Sequence, residues 1–329
     1  MKRRDFIGLL GSAATWPITA RAQSRARMPK VGVLMSVSEG DADSQKRIAA
    51  FRQGLVELGW KDGQNLEIEY RWAGGKIELI RQYSRELVAF APNVILANST
   101  PAIQAMKEMT SSIPIVCALV NDPVGLGFVN SLSHPGGNIT GFTYINAELI
   151  GKWADLLKDV TPGFTKAAVI HNPKTTPFYR NFLSEIGATR KLAANELTAI
   201  SVESDADIET AINILAEKSG GSLIIGPDPF TIVSIKRIAQ LAAQKRLPAI
   251  SVYRQFVLDG GLMAYGPDTA DIFRRSATYI DRILKGEKPA SLPVQQPNKF
   301  EFIVNLKTAQ SFGLTLPRIL LSTADEVIE

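Results

Sequence analysis

Four clusters of small polar side chains, each set against a proline, carry the chemistry this sequence can offer. They are Asn98-Ser99-Thr100-Pro101, Asn121-Asp122-Pro123, His171-Asn172-Pro173 with Thr176-Pro177 close behind, and Gly226-Pro227-Asp228-Pro229. Each follows a short apolar run that reads as a strand, over 94–97, 115–120, 167–170 and 223–225. A hydroxyl, amide or carboxylate directly before proline predicts a helix start. The side chain accepts from orphan backbone N–H groups, and proline suits the first helical position. Such starts turn free N–H groups and a partial positive charge outward. Capping of this kind stabilises any α/β protein, so one cluster alone says little. Four at strand ends describe a surface able to hydrogen-bond and charge-match a small polar molecule.

Covalent chemistry finds little support. No G-x-G-x-x-G follows the first strand, where Ser36-Val37-Ser38-Glu39-Gly40 stands, and neither a G-x-x-x-x-G-K-[ST] loop nor a G-x-S-x-G elbow occurs. A serine triad would have only His134 or His171 as its base. His134 lies in the turn sequence Ser133-His134-Pro135-Gly136-Gly137, where a solvated ring is expected; His171 ends a strand and either faces a ligand or packs. Cys117, amid the apolar residues 113–120, reads as a buried small hydrophobe. The pairs Asp41/Asp43 and Asp205/Asp207 read as helix caps. With two histidines and one cysteine, no zinc site, and no cofactor of any kind, is expected.

The elements that must position the clusters alternate along the chain. Strands are expected over 31–35, 66–71, 94–97 and 115–120, with helices over 43–58, 77–90 and from Pro101 onward. After Gly141 the alternation restarts: helix 147–157, strand 167–170, helix 179–193, strand 198–202, helix 208–217, strand 223–225, helix 232–245 and strand 249–252. Continuously apolar strands between helices mean parallel sheets covered on both faces. The tail breaks the pattern with a strand at 262–265, a helix at 271–284, a strand at 300–304 and a short helix at 308–312, as though the chain recrosses between lobes. Ligands of open parallel sheets bind beyond the strands' C-terminal ends. If the lobes face each other, all four clusters line one cleft.

The chain's 329 residues suffice for two such units, and 45% hydrophobic with 21% charged residues excludes wholesale disorder. The net charge of +5 is largely a property of the first 22 residues, where Lys2, Arg3, Arg4 and Arg21 oppose Asp5; the remaining 307 carry +2. Nucleic-acid binding therefore has no electrostatic support. Those 22 residues hold a charged start, a short apolar stretch and Ala20-Arg21-Ala22 before Gln23, the pattern of a signal peptide cleaved after Ala22. Arg3-Arg4-Asp5-Phe6-Ile7 resembles a twin-arginine export signal, although Lys2 and Gly8 depart from its usual flanks and leave the ordinary secretory route open. No apolar run is long enough to span a membrane. A soluble, periplasmic mature protein is expected.

Several longer segments carry a family resemblance: Ala97-Asn98-Ser99-Thr100-Pro101-Ala102, Asn121-Asp122-Pro123-Val124-Gly125-Leu126-Gly127, His134-Pro135-Gly136-Gly137-Asn138-Ile139-Thr140-Gly141, Asn305-Leu306-Lys307-Thr308-Ala309 and Ala324-Asp325-Glu326-Val327-Ile328. Together with the leader they make the chain resemble ABC-transporter substrate-binding proteins of the type I periplasmic-binding fold. It is most similar to the group that includes tryptophan- and tyrosine-binding proteins. The resemblance implies two doubly wound parallel-sheet lobes joined by three crossovers near 142, 266 and 295. Lobe 1 would hold 28–142 and 266–295, and lobe 2 would hold 143–265 and 296–329. It implies a monomer that closes on a small-molecule solute, delivers it to the membrane permease subunits of an ABC importer and catalyses nothing. The family's amino-acid contacts map onto Ser99, Thr100, Asn121, Asp122, Asn172 and Asp228. The residue types suit an amphoteric molecule such as an amino acid or an aromatic carboxylate. Thr100 and neighbouring amides would face a carboxylate, and Asp122 or Asp228 an ammonium. Tyr253, Phe230 and Tyr144 would hold a ring or fill the lobe cores, and Arg254 is an alternative anchor for an acid. On this reading Asp122→Ala weakens binding more than about tenfold. Two other classes share the scaffold: a ligand-sensing protein not coupled to transport, and a periplasmic α/β enzyme.

Overall fold

The computed structural model describes residues 28–189 and 196–329. The expected signal peptide, and the last residues of the helix expected over 179–193, lie outside the described residues. The first unit runs β1 (Lys30–Met35), α1 (Ala42–Glu57), β2 (Glu67–Trp72), α2 (Ile77–Ala89), β3 (Val94–Asn98), α3 (Thr100–Met109), β4 (Ile115–Val120) and β5 (Ile139–Thr143). The second continues with α4 (Ala147–Val160), β6 (Lys166–His171), α5 (Tyr179–Thr189), β7 (Leu197–Ser201), α6 (Asp205–Ala216), β8 (Gly221–Ile225), α7 (Pro229–Val233), α8 (Ile235–Gln244), β9 (Ala249–Ser251), α9 (Arg254–Leu258) and β10 (Met263–Pro267). The tail adds α10 (Thr269–Leu284), β11 (Phe300–Asn305), α11 (Leu306–Ser311), α12 (Arg318–Thr323) and β12 (Glu326–Ile328).

The first sheet has the order β2-β1-β3-β4-β5 and is parallel throughout. The second has the order β12-β11-β10-β9-β8-β6-β7 and is parallel except between β10 and β11. These are two doubly wound α/β lobes of the type I periplasmic-binding architecture. Alternation within each buried strand divides the first lobe's core. Val31, Val33, Leu96 and Val116 pack with Phe51 and Leu55 of α1 and with Phe273 and Ile280 of α10. Leu34, Ile95 and Cys117 face the opposite way, toward Ile80, Ile103 and Met106 of α2 and α3.

Helix α10 follows a strand of the second sheet yet packs on the first lobe. Trp60 Nε1 donates to Asp281 Oδ1 at 2.8 Å, and a Cβ at Gly54 of α1 would lie 2.7 Å from the Arg274 carbonyl oxygen. The chain thus passes between sheets after β5, after β10 and before β11. The passages lie side by side: Gln295 N donates to Gly141 O (2.8 Å), Thr143 N to Gln295 O (2.9 Å) and Asp268 N to Lys299 O (3.0 Å).

Three local expectations need correction. Helices open at Thr100-Pro101 and at Asp228-Pro229, but not after Asn121 or Asn172. Asp122 instead takes φ 47° and its Oδ1 accepts from Gly125 N at 3.0 Å, closing a turn. Asn172 Oδ1 accepts from Lys174 N at 2.9 Å, an Asx-turn that delays the helix to Tyr179. The helix expected over 232–245 is broken at Ser234, after the β-branched run Thr231-Ile232-Val233; the Ser234 hydroxyl donates to Asp205 at 2.9 Å.

Candidate functional site

Where the C-terminal ends of the two sheets face each other, a cavity lies between the lobes. Ser36, Arg47, Asn98, Ser99, Thr100, Leu119 and Asn121 line it from the first lobe; Thr175, Thr176, Phe178, Asp228 and Tyr253 from the second; and Tyr144 from the first passage. The lobes touch beside it, since a Cβ at Gly75 would lie 3.0 Å from the carbonyl oxygen of Pro229.

The first-lobe wall is built from strained strand ends. Ser99, Leu119 and Asp122 hold φ of 82°, 59° and 47°, a region side chains other than Gly seldom occupy and which clusters at ligand sites. Ser99 precedes α3 without capping it, and its buried hydroxyl has no hydrogen-bond partner. Thr100 Oγ1 accepts from Asn121 N at 3.2 Å, Asn121 Oδ1 accepts from Ile145 N at 3.1 Å, and Ser36 Oγ donates to Asn98 Oδ1 at 3.0 Å. Three strand ends and the first passage are therefore joined in one network.

The second-lobe wall is organised around Asp228, which is fully buried. Its Oδ2 accepts from Asn172 N at 2.7 Å, and its Oδ1 from Phe230 N at 2.8 Å and from the Thr175 hydroxyl at 2.5 Å. No ion pair among the described residues reaches it. Burial pushes its pKa above the ordinary carboxylate value, against the three donors that favour the charge. Asp228 N donates to Tyr253 Oη at 3.0 Å, which leaves the phenol proton free to donate elsewhere; burial holds that phenol neutral by raising its pKa well above the usual value.

Of the residues singled out in the sequence, Ser99, Thr100, Asn121, Asp228 and Tyr253 come together around the cavity, as does Tyr144. Asn172 stands behind the wall, its carbonyl accepting from the Thr175 and Thr176 hydroxyls. Asp122 sits at the rim, its Oδ2 accepting from Asn181 Nδ2 of the opposite lobe at 3.2 Å. Arg254 is engaged by Glu326 at 2.7 Å, and Phe230 does not line the cavity. His171 packs: its Nδ1 lies 3.2 Å from Thr176 Oγ1, its ring rests on Tyr179, and burial lowers its pKa. Cys117 is buried and its pKa is pushed up to about 12. Among the described residues no three His, Cys, Asp or Glu are grouped to hold a metal ion.

Arg47, Thr175 and Phe178 line the cavity without having been foreseen. For Arg47 a signal existed: it lies four residues before Phe51, so a cation occupies the stripe of α1 that faces the core. Gly226 also matters, because the site leaves no room there. A Cβ would fall 1.7 Å from Tyr179 Oη, which is buried without a partner. Gly226→Ala is expected to cost about 1–3 kcal/mol of stability by overpacking. Tyr179→Phe in the same chain should recover part of that in a denaturant-unfolding double-mutant cycle, and strict additivity would show that the two positions do not collide.

The family profile described as ABC transporter substrate binding protein matches residues 30–328. The chain is 26% identical over 292 residues to a tyrosine-binding protein of Clostridioides difficile (strain R20291), covering 88% of this chain and 82% of that one. Among solved structures it superposes with a TM-score of 0.82 on an ABC domain in complex with L-Trp from Streptococcus pneumonia, at 26% identity over 91% of this chain and 99% of that one. A conserved domain protein of Vibrio cholerae gives a TM-score of 0.80 at 27% identity, over 92% and 100%. With its two lobes, three passages and the cavity between them, and with a profile match across nearly its whole length, the chain belongs to the ABC transporter substrate-binding protein family.

Proposed function

We propose that the chain is the exported solute-binding component of an ABC importer. It closes its lobes around one amino acid with an aromatic side chain, in the periplasm, and hands that solute unaltered to the membrane permease. The carrying observation is Asp228: a buried carboxylate with three hydrogen-bond donors and no ion-pair partner among the described residues, facing a cavity. An ammonium group supplies the missing charge. A plain aromatic carboxylate would meet Asp228 as a like charge, so the amino acid is preferred over it. Tyr144, Phe178 and Tyr253 offer ring faces and edges to an aromatic side chain, in keeping with the tyrosine and L-Trp named for two relatives. Titration calorimetry with L-tyrosine, L-tryptophan and L-phenylalanine tests this: saturable binding of at least one, with the amino acid recovered unchanged, is expected. Heat from none of the three would overturn the reading.

Closure brings Asp122 and Asn181 together across the rim. The tenfold loss expected for Asp122→Ala presupposed a residue in the cavity wall. From the rim, loss of one exposed hydrogen bond between lobes corresponds to a two- to fivefold weaker affinity, about 0.5–1 kcal/mol. Asn181→Ala should match it and the double variant should be no worse than either. Additive losses in calorimetry would separate the two residues.

A further inference from the structure

We propose that Arg47 binds the carboxylate of the solute, making the core-facing side of α1, rather than the start of α3, the acid-recognising part of the cleft; this rests on the amino-acid reading above. Arg47 is 4% exposed and lies on the stripe of α1 that buries Ile48, Phe51 and Leu55. A guanidinium brings five N–H donors, and in such a place it is costly unless paired. Yet only its Nε is used, donating to Thr269 Oγ1 at 3.0 Å; among the described residues its two terminal nitrogens have neither a hydrogen-bond nor an ion-pair partner. Asp43, one turn earlier, pairs instead with Lys46 at 3.7 Å.

The guanidinium reaches the cavity. It lies close enough to the phenols of Tyr144 and Tyr253 to draw their pKa values down against the larger upward push of burial. The same three side chains form the partition between the cavity and a polar crevice on its far side, lined by Asp43, Asp268, Glu301 and others. Asp228 stands in the opposite lobe. The cavity is thus bounded by one buried cation from the first lobe and one buried anion from the second, neither with an ion-pair partner among the described residues. A zwitterion satisfies both at once. The start of α3 is a poorer rival, since it brings only a partial positive charge and Pro101 has no N–H to offer. Thr269 opens α10 immediately after the second passage, so the bond that orients Arg47 also ties the acid-binding group to the hinge.

The test compares three probe sets on the full mature chain: L-tyrosine and L-tryptophan, the amines tyramine and tryptamine, and the deaminated acids 3-(4-hydroxyphenyl)propionate and 3-indolepropionate. Arg47→Met, which suits the apolar stripe, should weaken binding of the amino acids at least about thirtyfold and of the amines less than threefold. Arg47→Lys should fall between, and Thr269→Val, acting only through positioning, should cost the amino acids a few-fold and the amines nothing. Equal losses for amino acids and amines, or no loss for amino acids, would overturn the assignment. If the wild type takes the deaminated acids but no amino acid, and Arg47→Met abolishes that binding, the amino-acid reading fails while Arg47 stands as the acid-binding group. A protein that binds none of the three sets overturns both.

Discussion

Asp228→Asn should lower the affinity for the zwitterionic solute at least about thirtyfold while leaving the lobes folded. Removing one partner of a buried charge pair costs about 2–5 kcal/mol, and about 1.4 kcal/mol is a factor of ten. Asparagine retains an oxygen for Phe230 N and Thr175, so the wall keeps most of its shape, although an amide N–H then opposes Asn172 N–H. The loss of charge is separable from that local clash. The wild type should strongly prefer an amino acid over its deaminated analogue, and the variant should discriminate far less. The pH profile gives a second check. Burial raises the carboxyl's pKa, so in the empty protein the stability it contributes is fully present below the ordinary Asp value of about 3.9 and is lost as pH rises through the raised value. Binding runs the other way. Affinity is highest above the raised value and declines, by up to about tenfold per pH unit, as pH falls through it; in Asp228→Asn this decline is absent. Unchanged affinity, or an identical pH profile, would remove Asp228 from the solute's ammonium.

Gly141→Ala should be among the most damaging single changes to the fold. Gly141 has φ 134°, and a Cβ there would lie 2.1 Å from the Cys117 carbonyl oxygen and 2.6 Å from its nitrogen. Both are backbone atoms of β4, held in the ladder where β4 and β5 shift register, so neither can swing aside. The Gly141 carbonyl also accepts from Gln295 N, which joins the first and third passages. Strained φ costs of order 1–3 kcal/mol and overpacking a similar amount. Together they predict a loss of about 3–5 kcal/mol, or roughly 6–20 °C of melting temperature at 2–4 °C per kcal/mol. A shift under about 1 kcal/mol in denaturant unfolding would mean that the strand pair relaxes around the new methyl group. Because the passages between the lobes are built from the same backbone, the lobe closure proposed above should weaken along with stability.

The sheets were legible because the strands that form them are uninterrupted apolar runs: β3, β4, β6 and β8 stand close to where the pattern of Val, Ile, Leu and Ala places them. The cleft followed from them, since the C-terminal ends of parallel strands share one edge, and so Ser99, Thr100, Asn121 and Asp228 could be named together. Asp122 and Asn172 share that edge but were misread as helix caps. Their side chains close turns on their own backbone instead, an option that Asx residues always carry. Arg47 escaped notice because it sits inside a helix, where a lone cation on an apolar stripe reads as a blemish in the period rather than as a ligand group. Thr175 and Phe178 come from an irregular segment with no periodicity to read. In the tail, α12 and β12 are short and only partly buried, and their sheet is joined through a single antiparallel pair, β10 with β11, that no local alternation foretells.

The most direct test of a cleft that traps an amphoteric solute is the melting temperature of the purified protein, measured against each of the twenty L-amino acids. A solute that binds only the folded state at a hundred times its dissociation constant adds about 2.7 kcal/mol, hence roughly 5–11 °C. At least one aromatic amino acid is predicted to give such a rise, and Asp228→Asn should cut it to about a third or less, since thirtyfold weaker binding leaves about 0.9 kcal/mol. A melting temperature indifferent to all twenty, or a rise of undiminished size in Asp228→Asn, would contradict the account.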